Sequence, residues 1–159
     1  MVLHYLGLDH IGHKTGPRGY VLDRFSIKFH LTSRSPNMIP KQHEMDSIVH
    51  QIYEAIEAED FLKSTLLVLC GDHGMNDAGN HGGSSPGETS PALVFISPKL
   101  KTIASGLPSP APFNEAFRYY NHVSQSDIAP TLGGLLGFPV PRNNLGAFIV
   151  DFLPLWSSR

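Results

Sequence analysis

Two apolar runs of strand length, each closed by an aspartate beside histidine and glycine, constrain this chain most. Val2-Leu3-His4-Tyr5-Leu6-Gly7-Leu8 ends at Asp9, and Thr65-Leu66-Leu67-Val68-Leu69-Cys70 ends one glycine later at Asp72. The second run is almost continuously apolar, as in a parallel strand buried on both faces. Between them, residues 41–59 space Met45, Ile48, Val49, Ile52, Tyr53 and Ile56 in a three-then-one pattern, which is one apolar face of a helix. Glu44, Asp46, Gln51, Glu54 and Glu57 fall on or beside its wet face, and Pro40 sits just before its start. Strand, helix, strand predicts a right-handed crossover with the second strand parallel to the first, hence an α/β fold with a mostly parallel sheet. Such sheets bind ligands at the carboxyl ends of their strands, where Asp9 and Asp72 are expected to meet.

The residues beside those aspartates carry chemistry. Asp9 and His13 are four apart, Asp72 and His73 are adjacent, and His81 lies in Asn80-His81-Gly82-Gly83, too glycine-rich for a core element. Carboxylate oxygen with neutral imidazole suits Zn²⁺, and this distribution is how a dinuclear zinc site is written. The plainer alternative has the aspartates capping turns and the histidines solvated in loops. Cys70, the single cysteine, can form no internal disulfide and reads as a small apolar filler on a buried strand.

Further along, Pro91–Ser97 reads as a strand closed by Pro98, and residues 101–112 as a surface loop. A helix beginning at Ser124 or Ser126 should run to about Leu136 and stop at Gly137. Pro130 favours Ser126 as the cap, since it then falls in the first turn. Hydrophobic residues at 41% and charged ones at 16% read as globular, and 159 residues allow one modest core. A formal charge of -2 argues against nucleic acid or an anionic membrane as the main partner. No apolar run approaches the roughly 18 to 20 residues of a membrane span, and Met1–Leu8 lacks the form of a signal peptide.

The motifs carry a resemblance as well. His4-Tyr5-Leu6-Gly7-Leu8-Asp9-His10-Ile11-Gly12-His13, Gly16-Pro17, Glu44-Met45-Asp46-Ser47, Leu67-Val68-Leu69-Cys70-Gly71-Asp72-His73-Gly74-Met75 and Asn80-His81-Gly82-Gly83 closely resemble the ethanolamine phosphate transferases of GPI-anchor synthesis, in the alkaline phosphatase superfamily. Ser90-Pro91-Ala92-Leu93-Val94 and Pro139-Val140-Pro141 follow in the same order. Nucleotide pyrophosphatases share the Asp9/His13 and Asp72/His73 spacings, so those pairs alone indicate only the superfamily.

The resemblance implies an alkaline-phosphatase-like αβα sandwich, of which residues 1–151 would be the carboxyl-terminal part of the catalytic domain and 152–159 a stub. It implies two Zn²⁺ ions, about 4 Å apart as two-metal phosphoryl transfer requires. Asp9, His13 and His81 would hold one; Asp72 and His73 would hold the other with an aspartate and a nucleophilic threonine that no segment here matches. His10 matches no ligand and would support its loop. That threonine would take phosphoethanolamine from phosphatidylethanolamine, and the 6-hydroxyl of the second mannose of the GPI precursor would then receive it. Family members are endoplasmic reticulum membrane proteins with a lumenal catalytic domain, so this chain reads as an inactive fragment, its membrane contact made by other segments. Glu88 is a candidate contact for the ethanolamine ammonium, although an exposed loop carboxylate is the expected reading. Residues 19–35 interrupt the resemblance and read as translated intron, or as an edge strand in which Phe25, Ile27, Phe29 and Leu31 alternate with polar residues. Two rival functions remain at this point: a nucleotide pyrophosphatase or phosphodiesterase with the same metal site, and a non-catalytic metal-binding fragment.

Overall fold

A computed structural model describes residues 1–17, 20–21, 30–31, 37–106 and 121–155. It divides into two compact units, Met1–Lys99 and Leu100–Arg159, and all five candidate metal ligands lie in the first.

The first unit opens differently from expectation. Residues 1–6 form no strand, and Gly7–Thr15 is a helix, α1. Residues 1–6 are exposed and pair with no described strand, so their backbone has no ladder to join. The helix brings its own bonds: His10 N–H reaches Leu6 O at 3.0 Å, and Gly16, at φ 74°, closes the far end by donating to Gly12 O. Asp9 falls in the first turn and His13 and Lys14 in the last, the charge order the helix dipole favours.

After the short strands β1 (Tyr20–Val21) and β2 (His30–Leu31), paired antiparallel, comes α2 (Met38–Ala58). The remainder of the anomalous 19–35 segment lies outside the described residues. In α2 the expected apolar face turns inward, with Ile56 buried, while Glu44, Asp46, Gln51, Glu54 and Glu57 are exposed. Pro40 lies inside the first turn rather than before it, where its missing N–H costs nothing. The helix packs against α1 and against the 3-10 turn Asp60–Leu62.

Strand β3 (Leu67–Cys70) follows, then a loop, the one-turn helix α3 (Pro86–Thr89), strand β4 (Leu93–Ile96) and α4 (Pro98–Ile103). β3 and β4 pair antiparallel, Leu67 opposite Ile96 and Cys70 opposite Leu93, so the expected parallel partner of β3 is absent among the described residues. Residues 71–92 between them are long enough for a crossover but carry only the one-turn helix α3, and they return the chain beside β3 in the opposite sense. With two strands, the sheet leaves surface uncovered: Leu69 is 45% exposed, its cross-strand partner Val94 is 41% exposed, and Cys70 is exposed rather than a buried filler. Pro98 opens α4 instead of only closing a strand, so Lys101–Ile103 is helical where a loop is expected.

In the second unit Ser124, not Ser126, is the cap: it forms a reciprocal capping box with Asp127 over the 3-10 turn Gln125–Asp127. That turn leads into α5 (Ile128–Leu136), so Pro130 still falls within a first turn, and Gly137 ends the helix in the left-handed conformation, as expected. Thr131 is fully buried and its Oγ1 accepts from Ile149 N–H at 2.9 Å. Asp127 Oδ1 accepts from Ala147 N–H, and Asn144 donates to Ser126 O, so residues 144–149 are laced along α5. The boundary expected at 151/152 falls inside a 3-10 helix, Val150–Leu155. No described helix is long and apolar enough to cross a membrane.

Candidate metal centre

Asp9 and His13 are one helical turn apart on α1, so their side chains share a face. His13 Nε2 lies 3.4 Å from Asp9 Oδ1. His81 arrives from the loop between β3 and α3 and places its own Nε2 3.5 Å from the same oxygen. One donor atom from each of the three residues lies within 4.8 Å of the others, so the group could hold a metal ion.

The fit rests on Asp9 Oδ1. It is buried and has no hydrogen-bond partner, a state that costs a carboxylate oxygen heavily unless a cation completes it. Zinc bonds of about 2.0 to 2.1 Å at tetrahedral angles set neighbouring donors roughly 3.3 Å apart, close to both separations from Asp9.

What brings His81 there is a close backbone approach. Gly79 has φ 83°, and a Cβ at that position would stand 2.5 Å from Gly12 O on α1. Only glycine permits both the conformation and the contact. Met75 lies against Gly12 in the same region, where a Cβ on Gly12 would meet its sulfur at 2.3 Å.

Asp72 and His73 follow β3, as expected; neither belongs to the trio, and His73 stands beside it. The His73 ring stacks on His81 with centroids 3.8 Å apart, and its Nε2 is 3.9 Å from Asp72 Oδ2. His73 Nδ1 is 2.9 Å from Gly74 O. A carbonyl can only accept, so Nδ1 carries the proton and Nε2 keeps the lone pair a metal would need. His10 is exposed on α1, outside the group.

Glu88 corrects the expectation of an exposed loop carboxylate and leaves no capacity for an ammonium. It is 7% exposed, and its oxygens accept from Gly83 N–H, Ser85 N–H, the Ser85 hydroxyl and Asn76 Nδ2. The Ser85 hydroxyl, then the Gly83 amide, hold its carboxyl below the usual range, against the opposing effect of burial. The signal is present in the sequence: Ser85-Pro86-Gly87-Glu88 is a capping box with proline in the first turn.

Residues 1–86 match the family model of type I phosphodiesterase / nucleotide pyrophosphatase, and the chain belongs to that family. Among curated relatives it is similar to GPI ethanolamine phosphate transferase 2 of Aspergillus oryzae, 56% identical over 155 residues, 98% of this chain and 16% of the relative. The transferase 2 of Aspergillus fumigatus is 55% identical over 99% of this chain, and that of Saccharomyces cerevisiae 45% identical over 99%, each alignment covering 18% of the relative. The chain thus spans about a sixth of the length of these proteins. No solved structure matches it significantly.

Proposed function

We propose that this chain forms the carboxyl-terminal part of the catalytic domain of a two-zinc transferase, which moves phosphoethanolamine from phosphatidylethanolamine to the second mannose of the GPI precursor. The observation that carries the reading is the buried Asp9 Oδ1, which accepts no hydrogen bond and faces the Nε2 atoms of His13 and His81 at ion-pair distance. Asp9, His13 and His81 would hold one zinc; Asp72 and His73 would contribute to the second, completed by an aspartate and the nucleophilic threonine from elsewhere in the longer protein. When bound, such a pair of ions neutralises charge on the attacking and leaving oxygens of an in-line phosphoryl transfer.

The chain's own part is positioning. α1 fixes Asp9 and His13 on one face, and the Gly74 carbonyl fixes the His73 tautomer. His73 stacked on His81 keeps the two ligand sets adjacent. The exposed Leu69–Val94 pair offers an uncovered apolar face to the rest of a mostly parallel, alkaline-phosphatase-like αβα sandwich. That domain would lie on the lumenal side of the endoplasmic reticulum, anchored by segments outside this chain.

The test uses the longer gene product with labelled phosphatidylethanolamine and a GPI precursor. His81→Ala and Asp9→Asn should abolish label transfer to the acceptor; undiminished transfer contradicts the site. The 159-residue chain alone, supplied with zinc, is expected to transfer none. Hydrolysis of a nucleotide phosphodiester by the longer product, without transfer, would favour the pyrophosphatase reading instead.

A further inference from the structure

The loop that delivers His81 rests on α1 through Met75 and Gly79, and beyond them its residues are mostly polar or glycine. A set of hydrogen bonds closes it. Asn76 Oδ1 accepts from Ala78 N–H and Asn80 N–H, both at 3.0 Å, and Asn76 N–H donates to Asn80 O at 2.9 Å. The Asn76 amide group then donates from Nδ2 to Glu88 Oε1 at 3.3 Å, and the same oxygen accepts from Gly83 N–H at 3.0 Å. Glu88 Oε2 takes the amide and hydroxyl of Ser85. A single buried carboxylate therefore ties the chain just before His81 to the chain just after it.

We propose that Glu88 is a positioning residue for metal binding, holding closed the loop that presents His81 to Asp9 and His13. The inference rests on reading Asp9, His13 and His81 as a metal centre. The chemistry of the hub favours a carboxylate: four donors converge on two oxygens, and of these only the Ser85 hydroxyl could accept in turn. Glutamine keeps the shape but turns an NH₂ group toward donors that need an acceptor. Glycine at 83 is what lets the loop backbone come this close, since a Cβ there would lie 2.9 Å from the carboxylate. With the hub weakened, residues 77–82 must be ordered when the metal binds, and the cost appears in affinity.

The experiment is a zinc titration by calorimetry of the 159-residue chain, Glu88→Gln, His81→Ala and the double variant, with circular dichroism of each metal-free protein. Glu88→Gln should weaken zinc binding roughly 10- to 100-fold, as loss of a supporting residue usually does. In the His81→Ala background the same substitution should change the residual affinity by less than about twofold, because Glu88 acts through His81. A general stabiliser would cost the same in both backgrounds, and that result overturns the proposal, as does an unchanged affinity for Glu88→Gln alone. Should Glu88→Gln be unfolded without metal, Ser85→Ala is read in its place. It removes one donor to the hub and should lose roughly three- to tenfold, again only where His81 is present. Native chain that binds no zinc contradicts the metal centre and this inference together; zinc bound through His81 but indifferent to Glu88 contradicts this inference alone.

Discussion

Gly79→Ala should separate the fold of the first unit from the assembly of its metal centre. At φ 83° an alanine carries strain of about 1 to 2 kcal/mol, the ordinary cost of the left-handed region for a residue with a Cβ. A second cost is local: the new Cβ would stand 2.5 Å from Gly12 O and 3.4 Å from Gly16 Cα, all backbone atoms that cannot swing aside. The loop must retreat from α1 by about half an ångström before that contact is tolerable, while zinc ligands hold their distances to about 0.2 Å. His81 rides on this loop, two residues on, so zinc affinity should fall roughly 10- to 100-fold, or about 1.4 to 2.8 kcal/mol. Gly82→Ala is the control, since Gly82 has φ 95° but nothing within 4 Å of its Cβ position. It carries the backbone strain without the collision and should lose clearly less affinity. Isothermal titration with zinc measures both. Native affinity in Gly79→Ala, or equal losses in the two variants, would refute the claim that close approach to α1 places His81.

Other consequences follow from single residues. His10→Ala, exposed on α1 and outside the ligand group, should leave zinc affinity within about twofold of native, and a larger loss would make it a ligand or support. Thr131→Val keeps the volume but strands the buried Ile149 N–H, which should cost about 1 to 3 kcal/mol and speed exchange of that amide by roughly 10- to 100-fold. Unchanged exchange would contradict it. Because the folded-state pKa of Glu88 lies below its unfolded value, its stabilising contribution is fully present above the unfolded value and is lost as pH falls through the folded one. Acid titration followed by circular dichroism should therefore show a component in the native chain that Glu88→Gln lacks; superimposable acid transitions would argue against it.

The sequence is legible where a single period dominates. Met45, Ile48, Val49, Ile52, Tyr53 and Ile56 announce α2 because no strand pairing could bury them together, and Gly137 with Pro139 and Pro141 marks the end of α5. The run before Asp9 is misleading because a short apolar stretch has no phase to distinguish strand from irregular chain. The four-residue spacing of Asp9 and His13 is itself one helical turn, so the metal signal and the helix signal coincide. Pairing partners are tertiary facts, and nothing near Leu67–Cys70 announces an antiparallel neighbour at Leu93–Ile96. Glu88 is hidden differently: its capping box is visible in Ser85-Pro86-Gly87-Glu88, but the donors from Gly83 and Asn76 that make it a hub are supplied by the folded loop. The stack of His73 on His81 is likewise a product of folding.

The central claim is that Asp9, His13 and His81 form the metal site this chain can complete by itself, and zinc titration of the native chain, His13→Ala and His73→Ala tests it most directly. Three protein ligands hold a catalytic zinc, whereas two hold it weakly. His13→Ala should lose more affinity than the roughly 10- to 100-fold typical of a supporting residue, and His73→Ala, which removes a stacking neighbour of His81 and a proposed ligand of the second, incomplete site, should lose less than that. Equal losses in the two variants, or a native chain that binds no zinc, would contradict the account.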